Sequence, residues 1–112
     1  MKKAAFLLFI LSLASCAPKQ LYTWDKYENR VYDYYTDPTE ENKEKLMQTL
    51  EKIIAKQKGT RGTVPPGIYS EYGMLLVQKG RVEEGKAMLN KEIELYPESK
   101  EFVLVILKSI EK

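Results

Sequence analysis

Apolar side chains follow three rhythms along this 112-residue chain. The first is a short unbroken run. Residues 4–13 are almost wholly apolar, follow Lys2 and Lys3, and lead through Ala14 and Ser15 to Cys16. A positive start, an apolar stretch and small residues make up an export signal, here residues 1–15. The run is too short for the ~20 apolar residues that a spanning helix needs. The second rhythm is helical. Trp24, Tyr27, Val31 and Tyr34 fall three or four residues apart and predict a first helix over residues 21–35. Tyr32 and Tyr35 lie off that line. Asp37-Pro38-Thr39-Glu40 then reads as a helix start, with Asp37 as cap, Pro38 in the first turn and acids at the positive dipole end. This second helix is expected to run to about Lys58 on Leu46, Met47, Leu50, Ile53 and Ile54, with Gly59 as its C-terminal cap. The third rhythm is the run 102–107, strand-like on its own. No second strand candidate exists to pair with it, so a terminal helix through Phe102, Val103, Ile106, Leu107 and Ile110 is expected.

Between these segments, residues 59–67 hold three glycines and two prolines and predict the main loop. Val64, preceding Pro65, is pushed to an extended conformation. Loops on rigid scaffolds often carry binding, so Thr63, Val64, Pro65 and Pro66 are candidate contact residues. From Tyr69 the spacing is specific: Tyr69-x-x-Tyr72-Gly73-x-x-Leu76, then Gly80, Gly85-x-x-x-Leu89 and Pro97. It resembles the tetratricopeptide repeat, with Gly73 and Gly85 at the two small positions. Tyr72 and Leu76 exchange the usual residue types, and Glu92 stands where a later alanine is expected. Each interior glycine costs about 1 kcal/mol against alanine, and close helix crossing is the economical reason for keeping it. The resemblance implies a helical hairpin over residues 66–97, with Tyr69 and Tyr72 lining its groove. The fold expected is all-α: a short tetratricopeptide-like helical-hairpin solenoid of about five helices over residues 22–112. Residues 16–21 serve as a tether.

Composition narrows the chemistry. The chain has no histidine and one cysteine, so the commonest general base is missing and no intrachain disulfide or thiolate cluster can form. No phosphate loop and no Ser–His or Cys–His pair is present, and Asp25, Glu28 and Asp33 show no matched acid–base arrangement. The expectation is a non-enzyme with no catalytic residues, no metal and no cofactor. Removing residues 1–15 leaves 97 residues with 16 basic and 16 acidic side chains, balanced in both halves. Nucleic acid is therefore not an expected partner. Lys52, Lys56 and Lys58 read either as a solvated helix face or as a lipid-headgroup site. Tyr22, Trp24 and Tyr27 offer an alternative function, a stacking platform for a glycan or peptidoglycan.

Leu13-Ala14-Ser15-Cys16 resembles the bacterial lipobox. That implies cleavage between Ser15 and Cys16, lipidation of Cys16 and anchoring by two or three acyl chains, since a single chain holds only marginally. Ala17, where an inner-membrane retention signal would carry aspartate, implies an outer-membrane, periplasm-facing location. Together with the aromatic first segment, Asp37-Pro38-Thr39, Val64-Pro65-Pro66-Gly67 and Tyr96-Pro97-Glu98-Ser99, the chain resembles a family of short bacterial lipoproteins carrying a domain of unknown function. Genes of that family often neighbour one for a lipoprotein similar to the curli secretion channel. The resemblance implies an interaction adaptor or assembly helper whose partner is another envelope protein.

Overall fold

The computed structural model describes residues 19–112. The expected export signal, the expected Ser15–Cys16 cleavage and the expected lipidation of Cys16 fall outside the described residues. The described chain forms five α-helices: α1 (Tyr27–Thr36), α2 (Glu40–Ala55), α3 (Ile68–Gln78), α4 (Val82–Leu95) and α5 (Lys100–Ile110). A 3₁₀ turn, Pro97–Ser99, joins α4 to α5, and no strand occurs among the described residues. None of these helices is long and apolar enough to cross a membrane.

The first helix begins six residues later than its aromatic spacing suggests. Residues 20–23 form a strap whose polar groups bond across the chain rather than along it. The carbonyls of Gln20 and Leu21 accept from the amides of Thr60 and Arg61 at 2.9 and 3.1 Å. Thr23 and Gln57 exchange two further bonds, and the Lys58 amide donates to Thr23 Oγ1 at 2.7 Å. Backbone groups engaged in this way cannot also make an i to i+4 ladder. Asp25, in the left-handed region at φ 49°, then turns the chain into α1. The strap also makes Gln20 and Leu21 part of the folded body, so the expected tether ends sooner.

Helix α2 starts at Thr39 rather than Asp37. Thr39 Oγ1 accepts from the Asn42 amide at 3.1 Å. Asp37 contributes its carbonyl instead, which takes a bond from Asn42 Nδ2 at 2.9 Å. Asp37 lies two residues before that cap, and its carbonyl also accepts from the Thr39 amide at 2.8 Å. At its other end α2 stops at Ala55, where Gln57 Nε2 bonds the Ile53 carbonyl at 2.8 Å. Gly59 is not the cap. A side chain there would collide with the carbonyl of Leu21, so its smallness admits the strap.

The α3–α4 hairpin has the packing that the repeat spacing implied. A Cβ on Gly73 would lie 2.8 Å from the Gly85 carbonyl oxygen, and one on Gly85 would lie 2.6 Å from that of Gly73. Gly80, at φ 84°, closes α3: the Arg81 amide reaches back to the Leu76 carbonyl at 3.0 Å. The core gathers Leu46, Met47, Leu50 and Ile53 of α2 with Ile68, Tyr69, Tyr72, Leu75 and Leu76 of α3. Burying each large aliphatic side chain contributes roughly 1.5–3 kcal/mol. Leu89 of α4 and Val103 of α5 are fully buried beyond this group.

Candidate functional site

Helix α4 shapes the loop before α3. Glu92, only 1 % exposed, accepts the Gly67 amide on Oε1 at 2.6 Å, and one turn later the Tyr96 hydroxyl donates to the Val64 carbonyl at 2.6 Å. Glu92 thereby answers the positive end of α3 from the neighbouring helix, at a position where the repeat pattern expects alanine. This clamp overturns the expected contact loop. Val64 and Pro65 are buried, and Thr63 is half-buried. Pro66 alone of the four is exposed. Tyr69 and Tyr72 are buried in the core and line no open groove. Tyr72 donates to Glu51 at 2.9 Å, and burial followed by that bond pushes its hydroxyl up to about 12.

Past Pro66 the surface opens into a cleft of about 490 Å³ between α1, α3, α4 and the start of α5. Tyr27, Val31 and Tyr35 form one wall, and Met74 and Phe102 stand at the other side. Met74 is 40 % and Phe102 62 % exposed, so the cleft carries unusual apolar surface open to solvent. Glu71 and Glu92 supply its only charges; no lysine or arginine lines it. Tyr27 donates its hydroxyl to Glu71 Oε2. Burial is the main cause that raises the Glu71 carboxyl above its ordinary value, with the Tyr27 bond opposing it. Burial first, then Glu71, also raises the hydroxyls of Tyr27 and Tyr35. The second oxygen of Glu92 has no hydrogen-bond partner among the described residues. An apolar wall with an acidic floor suits a segment that brings apolar side chains and a cationic one. Because Glu92 already answers the end of α3, the cleft is not an anion site.

The alternative platform is assembled, though in a different form. Tyr22 and Trp24 meet edge-on at 6.2 Å, and Trp24 and Tyr27 lie 5.5 Å apart with planes tilted by 39°. The rings pack on one another and do not lie side by side as a flat sugar-binding face. Tyr22 is further covered by Arg61, 5.9 Å from its centroid. Asp25, Glu28 and Asp33 are not brought into a common site with the cleft acids, and no cluster of three metal-ligating side chains occurs among the described residues. Sequence reasoning missed Val31, Tyr35, Glu71, Met74, Glu92 and Phe102 as cleft residues. Their only shared signal is being apolar or acidic on helices predicted to pack, and helix pairing was not visible in the spacing.

The family model described as a domain of unknown function, DUF4810, matches residues 21–106. No curated protein and no solved structure matches the chain.

Proposed function

The chain belongs to this DUF4810 family of unknown function, and from that premise we propose that it is a non-enzymatic envelope lipoprotein that binds a segment of another envelope protein in the cleft. The observation that carries the reading is the pairing of exposed Met74 and Phe102 with an acidic floor that has no cation of its own. A complementary segment would supply apolar residues beside a lysine or arginine. Anchoring by acylated Cys16 in the outer membrane, facing the periplasm, completes the proposal and rests on the lipobox resemblance. The same resemblance makes a lipoprotein similar to the curli secretion channel the first partner to test.

Photo-crosslinking in intact cells tests the cleft. A crosslinker at Phe102 or Met74 should capture one defined envelope protein, and Glu71→Lys should abolish that product. Equal capture from a crosslinker at Glu83, outside the cleft, would refute the assignment. Palmitate labelling of wild type against Cys16→Ser tests the anchor separately, and equal labelling would rule it out. The glycan-binding reading is favoured only by the proximity of Tyr22, Trp24 and Tyr27. Unchanged Trp24 fluorescence on addition of murein fragments would dismiss it.

A further inference from the structure

Charge that is balanced along the sequence is unbalanced in space. The strap brings residues 19–26 beside the C-terminal half of α2 and the turn that follows it. Two shallow depressions there are lined by six cations (Lys19, Lys26, Arg30, Lys45, Lys52 and Lys58) against one acid, Asp25, and the adjoining one that holds Trp24 adds Glu28. Arg30 and Lys45 are engaged with Asp33 and Glu41. Lys19, Lys26, Lys52 and Lys58 form no ion pair among the described residues, and neither do Lys56 and Arg61 on the same stretch. Elsewhere Lys79, Arg81 and Lys86 are paired, while Lys91, Lys100, Lys108 and Lys112 form no ion pair among the described residues. Two apolar side chains stand out from the strap and its turn: Leu21 is 54 % and Trp24 40 % exposed. Favourable placement of lysines at a helix C-terminus accounts for Lys52 and Lys56 alone. It does not account for Lys19 and Lys26, which the strap delivers from a separate part of the chain, or for the neighbouring apolar residues.

We propose that this end of the molecule is a seat for an anionic lipid surface, with Leu21 and Trp24 entering the headgroup layer and the unpaired cations facing lipid phosphate. An indole has a flat apolar body with one N–H donor, which suits the boundary between acyl chains and headgroups. Lysine stems can lie along the same apolar surface while their ammonium groups meet phosphate. The arrangement is independent of the cleft and does not require acylation at Cys16. With acylation, it would fix which end of the domain faces the bilayer.

Trp24 is the only tryptophan in the chain, so its fluorescence reports this end alone. The mature protein extracted from envelopes would be mixed with vesicles of phosphatidylcholine or of phosphatidylcholine with phosphatidylglycerol, each with and without brominated acyl chains. Brominated lipid should quench Trp24 in the anionic vesicles, and the quenching should fall at least ~2-fold in Lys52→Glu/Lys56→Glu/Lys58→Glu and at about 0.5 M salt. Leu21→Glu, which leaves the strap's backbone bonds in place, should weaken quenching as well. Circular dichroism of each variant shows that the fold is kept. Trp24 emission insensitive to brominated anionic lipid would overturn the proposal, as would quenching that ignores both salt and charge reversal. Co-sedimentation with purely zwitterionic vesicles reads the acyl anchor instead, so the failure of one reading is distinguishable from failure of the other.

Discussion

One added methyl group tests why Gly73 and Gly85 are glycines. Alanine would gain about 1 kcal/mol of helix propensity at Gly85. Its Cβ would nonetheless sit 2.6 Å from a backbone carbonyl oxygen and 2.5 Å from Val77 Cγ2. Backbone cannot move aside as a side chain can, and overpacking costs about 1–3 kcal/mol. Gly85→Ala should therefore lower stability by about 1 kcal/mol in urea denaturation; a variant more stable than wild type would contradict the close crossing. These glycines were legible because an interior helix glycine is costly without such a reason. Glu92 was not legible, since its role depends on Gly67, 25 residues away. Glu92→Ala should cost about 2 kcal/mol or more, because it both removes the acceptor for that amide and opens a void. At Glu71 the relevant variable is pH. Its carboxyl is raised above the ordinary 4.5 in the folded protein, chiefly by burial. The folded state then holds this proton more tightly than the unfolded chain does. Its contribution to stability is complete below the ordinary value and is lost as pH rises through the raised one. Stability of wild type minus that of Glu71→Gln should accordingly decline from about pH 4.5 upward. A flat difference would mean that Glu71 is effectively solvated.

At the scale of elements, helix identity was legible and helix ends were not. The apolar positions Leu46, Leu50 and Ile53 define α2 because they share one face, and all three are fully buried. Its boundaries depend on single hydrogen bonds. Asp37 and Thr39 are both good capping residues, and Asn42 decides between them, its amide donating to Thr39 Oγ1 and its side chain to the Asp37 carbonyl. Thr39→Ala should cost about 1 kcal/mol by thermal or chemical denaturation, while Asp37→Ala should cost less than half as much. The reverse order would restore the cap to Asp37. The beginning of α1 was hidden for a different reason. Helical spacing in Trp24 and Tyr27 says nothing of backbone partners at residues 57–61, and those partners hold the preceding segment out of the helix. The candidate site suffered in the same way. Pro65 looked like an exposed loop residue until Tyr96 and Glu92 drew the loop onto α4.

Across the whole molecule, the all-helical class follows from the periodicity and the repeat spacing, whereas the cleft and the basic end both require knowing which helices meet. Overall neutrality concealed the separation of an acidic cleft from a basic end. The strap also sets an order of events. Thr23 closes on Gln57 and Lys58, 34 and 35 residues further along. A chain made N-terminus first exposes the strap well before the residues that hold it. Until they follow, nothing can dock it, so the strap closes only after α2 and the turn at residues 57–61 have formed.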